Sequence, residues 1–297
     1  MKKQGGFTLV ELVIVIVVTG IIAAIFAMQF GPSLQHYLAV GRRANLTHLA
    51  DTALRRMVTE IRTAVPNSLR LLPMPSAKLS CLEMVPTSDG GRFRTGPDTQ
   101  WDTANPATPS EPLDLRAPDA VFDVLTAFDN APKAGDWVVI GNQNTADVYE
   151  GSDRAAIASI GSPPATGSSN KPLGQSRITL GAAKQFPYAY EGGRFNIVPD
   201  SLQAVTYMCK DAGVDAEGTG TGTLTRIAHY GFNASQACPV AGGTSAVVAT
   251  KVRSCNFVYN PDQGATQQSG FAQLQLTLAD HGEIVTLTVG AQVENLP

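Results

Sequence analysis

Hydrophobic and polar positions divide the chain into three regimes. From Phe7 to Phe30 the positions are apolar almost without interruption, Glu11 is the one ionisable side chain, and positions 12–28 carry no charge. A run of roughly 20 apolar residues is enough to cross a bilayer as a helix. Ile, Val, Leu, Ala and Phe fall on every face, so the pattern predicts a helix surrounded by an apolar medium, with no amphipathic stripe. Over 33–64 the pattern changes. Leu46, Leu49, Ala50, Ala53, Leu54, Met57 and Ile61 recur at spacings of three and four, while Arg42, Arg43, Arg55, Arg56, Glu60 and Arg62 fall mostly off that line. This half is expected to lay one apolar stripe on a sheet. Gly31 and Pro32 lie between the two halves and are expected to weaken or bend the helix, because proline lacks an N–H and crowds the preceding turn. Pro66-Asn67-Ser68 is expected to end it.

Beyond Leu69 the period shifts towards two. Positions 80–85, 135–141, 146–149, 155–160, 177–180 and 194–198 read as short strands, and 121–128 as a short apolar segment. Positions 87–118, with Asp89-Gly90-Gly91 and Gly96-Pro97-Asp98, read as loop, as does the Pro/Gly/Ser-rich 162–172. The last third alternates more clearly. Val205, Tyr207 and Cys209 share a face, and 224–230, 247–259 and 271–279 follow. Leu274, Leu276 and Leu278 oppose Gln273, Gln275 and Thr277. Asp280-His281-Gly282 is a tight turn, with glycine supplying positive φ, and the returning strand 283–293 puts Val285, Leu287, Val289, Ala291 and Val293 on one side. The fold class is α+β: a long N-terminal helix packed on an antiparallel sheet with a loop-rich β insertion.

Glu11 is the anomaly in the first regime. A carboxylate near the start of a membrane helix costs a few kcal/mol, and the helix dipole offsets only part of that. A buried charge calls for a partner. A cut between Gly6 and Phe7 would create one, because the new α-amine of Phe7 lies one helical turn from position 11. In a stack of parallel helices, Glu11 of one subunit would meet the Phe7 amine of the next.

The leader Lys2-Lys3, the pair Gly5-Gly6 and the block Gly6-Phe7-Thr8-Leu9-Val10-Glu11-Leu12 resemble the prepilin processing motif of type IV pilins and type II secretion pseudopilins. The resemblance implies a pilin-like fold. It implies that a prepilin peptidase/N-methyltransferase cleaves after Gly6 and methylates Phe7, and that Glu11 is the assembly carboxylate. Residues 1–6 are then a cleaved leader, 7–30 a transmembrane and fibre-core helix, 31–66 an amphipathic helix and 67–297 a β-rich head. An ordinary secretory signal fits poorly, since its cleavage site follows the apolar core. Positions 53–57, 60–62 and 64–68 are similar to the helix end of J-type pseudopilins. Positions 135–139 and the end of the chain from Gly282-Glu283 onward are more similar to a minor pilin of the mannose-sensitive haemagglutinin pilus. The resemblance implies a bacterial inner-membrane protein, single-pass, with its head in the periplasm and later on the pilus at the cell surface. The implied partners are other pilins and minor pilins, the inner-membrane assembly platform and membrane lipid. As a long member of such a family, the chain is expected in an initiation or tip complex. A type II secretion pseudopilin and a tip adhesin binding a glycan are the rival readings.

Composition adds little that conflicts. The 297 residues are 43% hydrophobic and 16% charged, and loss of Lys2 and Lys3 with the leader would take the net charge from −3 to −5. No basic stripe exists, so nucleic acid is not an expected partner. The four cysteines Cys81, Cys209, Cys238 and Cys255 all follow the apolar run and lack zinc spacing. They are expected to form two disulfides on an oxidising side, by any of three connectivities. No catalytic constellation is visible, and neither a cofactor nor a metal is expected. His36, His48, His229 and His281 lack ligand spacing. Gly218-Thr219-Gly220-Thr221-Gly222 lacks a phosphate-loop ending and reads as a flexible hairpin loop. Asp211, Asp215 and Glu217, and Asp89, Asp98 and Asp102, are too few oxygens for a calcium site. Trp101 and Trp137 are expected to pack rather than to stack on a sugar.

Overall fold

The computed structural model describes residues 6, 8–72, 78–164, 173–188, 192–261 and 269–295. Helix α1 (Leu9–Arg62) is a single run of 54 residues. It does not stop at Gly31 and Pro32. A proline inside a helix costs about 3 kcal/mol through one missing hydrogen bond and one crowded carbonyl, a local penalty that so long a helix carries without ending. In its lower half the stripe is where the spacing put it: Leu46, Ala50, Ala53, Leu54, Met57 and Ile61 are buried, and Leu49 packs partly against them. After the cap at Thr63 the chain is held by Val65 N–H donating to Val85 O (2.8 Å) and Thr87 N–H donating to Thr63 O (3.0 Å).

The stripe faces an antiparallel sheet of seven strands. These are β1 (Arg70–Leu71), β2 (Leu79–Met84), β9 (Val205–Lys210), β10 (Gly222–Ala228), β11 (Thr244–Asn260), β12 (Ser269–Asp280) and β13 (Glu283–Glu294), lying side by side in that order. Between β2 and β9 the chain makes β3 to β8, described below. The β12–β13 hairpin pairs from Asp280↔Glu283 to Ser269↔Glu294. His281 and Gly282 turn it with φ of 47° and 82°, the two positive values a two-residue hairpin needs. Leu274, Leu276 and Leu278 are fully buried under α1.

Helix and sheet are also joined by charge. Arg226 of β10 donates from Nε to both oxygens of Glu60, 3.0 Å each, with side chains only 13% and 19% exposed. Removing one member of such a pair strands the other's charge. Glu60→Ala is expected to cost about 2–3 kcal/mol, read as a lower denaturant midpoint at unchanged slope. Arg226→Ala should cost less than Glu60→Ala, because Glu60 keeps Arg56 at 3.5 Å.

The segment between β2 and β9 is a second β unit. It comprises β3 (Asp89–Arg92), α2 (Thr99–Ala104), β4 (Asp119–Val124), β5 (Trp137–Val139), α3 (Asp147–Glu150), β6 (Arg154–Gly161), β7 (Ser176–Lys184) and β8 (Arg194–Val198). Its six strands run in the order β3-β8-β5-β6-β7-β4. The ends meet: Phe93 bridges Val124, Arg94 N–H donates to Asp123 O and Leu125 N–H to Arg92 O, both 2.8 Å. The sheet is therefore a closed barrel, which leaves no bare edge. Inside, Phe122 meets Phe93 and Phe195 edge-on at 6.2 and 5.8 Å, among Val138, Ile157, Ile178 and Ile197. The barrel leaves and rejoins the main sheet at Met84 and Val205, which are paired neighbours. Tyr149 fastens it: its hydroxyl donates to Ser68 O (2.8 Å), and the Arg70 guanidinium lies 3.5 Å over its ring.

Two local expectations are corrected. The 87–118 stretch is not all loop. Gly90 and Gly91 belong to β3, where a Cβ would stand 2.8 Å from Phe195 O and 2.4 Å from Thr126 Oγ1 respectively, so the glycines permit close strand approach. Asp98 caps α2 by accepting from Trp101 N–H (3.1 Å). Positions 146–149 fall in α3 and not in a strand, closed by Gly151 at φ 89°. The hairpin expected at 218–222 is present, with Val214 and Gly220 bridged antiparallel; a Cβ on Gly220 would stand 2.1 Å from Lys251 O, and Asp215 Oδ1 accepts from Thr219 N–H (2.7 Å).

Candidate functional site

The feature left over by this packing is the first half of α1. From Leu9 to Met28 none of it is buried by the rest of the described chain. Val10, Ile16 and Phe26 are 65%, 62% and 55% exposed. Twenty residues at 1.5 Å each span about 30 Å, the thickness of a bilayer's hydrocarbon. Hiding a Val, Leu, Ile or Phe side chain from water is worth about 1.5–3 kcal/mol, so this surface demands an apolar surround. Thr19 does not interrupt it, because its hydroxyl donates to Val15 O at 2.6 Å.

Glu11 lies at the third position of the helix, exposed, inside a capping box. Thr8 precedes the helix in extended geometry. Glu11 N–H donates to Thr8 Oγ1 (3.3 Å), and Glu11 Oε2 accepts from Thr8 N–H (3.4 Å) and from Thr8 Oγ1 (3.3 Å). The box satisfies N–H groups that a helix start leaves open, and the dipole there favours the negative charge. Thr8 was not singled out in the sequence, although Thr-x-x-Glu ahead of an apolar run is the written signature of this box. Gly6 is exposed and open, with nothing within 4 Å of where a Cβ would be. Phe7 lies outside the described residues.

The remaining candidates are dispersed. The cysteines stand in two pairs at bonding distance, Cys81 with Cys238 and Cys209 with Cys255, their Cα atoms 5.9 and 6.4 Å apart. His36, His48, His229 and His281 are exposed. Among the described residues no three His, Cys, Asp or Glu side chains converge as a metal site. Asp102 instead accepts from Ser110 N–H (2.7 Å), and Asp89 from Asn130 N–H (2.7 Å). Trp101 Nε1 donates to Thr108 O (2.8 Å), and Trp137 packs edge-on against Phe232 at 5.5 Å.

Residues 1–27 match the prokaryotic N-terminal methylation motif. No curated protein and no solved structure matches the chain. The motif and the apolar helix it opens mark a type IV pilin-like prepilin, a pilus or pseudopilus subunit that a prepilin peptidase processes and that assembles with other pilins. Proteins with this motif are structural subunits rather than enzymes.

Proposed function

We propose that the chain is cut between Gly6 and Phe7, methylated on the new Phe7 amine, and held in the bacterial inner membrane by the first half of α1 with both β units in the periplasm. The assembly platform then moves it into a fibre, where α1 exchanges lipid for the helices of other subunits and Glu11 pairs with the Phe7 amine of a neighbour. The observation that carries this reading is the bare apolar segment Leu9–Met28 directly behind a methylation motif. Transfer from lipid to a helical core keeps that surface out of water throughout. The cysteine pairs are disulfides formed on the oxidising side.

The finer assignment is a minor pilin of the mannose-sensitive haemagglutinin type in the initiation or tip complex. The short sequence blocks noted above support it, and so does the inserted barrel. A shaft lattice would have to accommodate that bulk at every turn, whereas one copy at a tip would not. Mass spectrometry of the protein purified from membranes is expected to show chains starting at methylated Phe7, with peptides joined as Cys81–Cys238 and Cys209–Cys255. Chains that still begin at Met1, or that are cut beyond Met28, would sink the reading.

A further inference from the structure

A cleft of about 340 Å³ lies where the barrel meets the end of the main sheet, lined by Gly90, Arg92, Arg194 and Asn196 on one side and by Pro66 and Glu294 on the other. Arg92 and Arg194 are direct cross-strand partners. Phe93 N–H donates to Gly193 O at 2.7 Å, which puts the two arginines at the non-hydrogen-bonded register. There Cα atoms approach to about 4.5 Å and side chains stand closest. Like charges facing one another at such a position repel. Among the described residues neither guanidinium has a hydrogen bond or an ion pair, whereas Arg70, Arg177 and Arg226, on other strands, each meet a carboxylate. The next row of the ladder pairs Gly90 with Asn196. The glycine leaves the floor open beside a carboxamide, a Cβ there coming within 3.6 Å of Asn196 Oδ1.

The chemistry of the walls defines an occupant. Two arginine forks match the two oxygens of a carboxylate. Glu294 only accepts, so it asks for hydroxyl donors, and its charge opposes a dianion such as phosphate. Clefts between two packed units, with a few converging polar groups, are where small ligands settle. We propose that this cleft binds an acidic saccharide, its carboxylate held between Arg92 and Arg194 and its hydroxyls facing Asn196 and Glu294. The site stands apart from the fibre role of α1 and would give the head a recognition function of its own.

The test is ligand-observed NMR on the full chain in detergent micelles, with glucuronate as the probe and glucose, acetate and inorganic phosphate as controls. Glucuronate is expected to bind, with each control at least about tenfold weaker. The double variant R92Q/R194Q is expected to lose at least about tenfold in glucuronate affinity. Absence of glucuronate binding, equal binding of acetate or phosphate, or undiminished binding by the double variant each overturns the proposal. The ligand-free single variant Arg92→Gln supplies an independent reading. Relief of repulsion should leave its melting temperature unchanged or raised. A clear fall would show that Arg92 serves a structural partner and not a ligand, and would overturn the proposal as well.

Discussion

Replacing Glu11 by alanine is expected to leave the chain processed and inserted but missing from fibres. On the proposed processing the peptidase would act at the Gly6–Phe7 bond, four residues before position 11, so cleavage should proceed. Docking is different. In a fibre core the Phe7 amine of one subunit would be left without its counter-charge, and breaking a desolvated pair by removing one member costs about 3–5 kcal/mol. Each 1.4 kcal/mol is roughly tenfold, so incorporation should fall by roughly a hundredfold or more. Two further variants separate charge from cap. Glu11→Gln can still accept from Thr8 N–H as the third residue of a capping box but carries no charge, and should fail in assembly as alanine does. Thr8→Ala dismantles the box that Glu11 now completes and keeps the charge. It should cost about 0.5–2 kcal/mol of helix start while fibres still form. Cell-surface fibre counts and the ratio of fibre-bound to membrane-bound subunit are the measurements. Normal piliation with Glu11→Gln would remove the electrostatic role of Glu11 and leave only the cap.

What could be read in the sequence was local. The stripe from Leu46 to Ile61 and the alternation from Leu274 to Val293 are set by periods of 3.6 and 2, and those periods survive in the fold because one face of each is buried. The barrel could not be read this way. Its closure depends on Phe93 meeting Val124 and its insertion on Met84 meeting Val205, and pairings so distant in sequence leave no periodic trace. Gly90 and Gly91 carry the composition of a turn, yet the partner strand at Phe195 uses them for close approach. Asp147 opens α3, where its carboxylate accepts from Asn144 N–H at 2.9 Å, a turn contact that an alternating pattern of four residues cannot reveal. The same limit applies to charge. Asp123 reads as one acid among many, but the barrel buries it completely against Arg177, with 2.7 Å between Oδ1 and Nε. At the N-terminus the reverse held. The box between Thr8 and Glu11 is fully encoded in four consecutive residues.

Asp153 gives the second large effect, and its sign is set by burial. It is wholly inaccessible, and neither carboxylate oxygen has a hydrogen-bond partner. The cations nearby are otherwise engaged. Arg154 donates from Nε to Val148 O (2.7 Å) and stacks its guanidinium 4.1 Å over Phe232, and Lys184 donates to Gly151 O (2.8 Å). Burial first, and the neighbouring charge of Asp147 second, push the Asp153 carboxyl up to about 7 from an ordinary 3.8, against the weaker pull of its own backbone, Arg154 and Lys184. The folded chain therefore holds a proton between those two values that the unfolded chain has released. Stability from this group is greatest in acid and is lost as pH rises from about 4 through about 7, at up to roughly 1.4 kcal/mol per pH unit. The accumulated loss above pH 7 is on the order of 4 kcal/mol. Asp153→Asn fills the same volume and cannot ionise. Any cost of burying its amide is the same at every pH and cancels from the slope. Denaturant unfolding of the full chain in micelles should show the variant more stable than the parent at pH 8, with the gap closing by about pH 4. A gap that does not change with pH would mean that Asp153 is ionised and paired in the fold, and this account of it would be wrong.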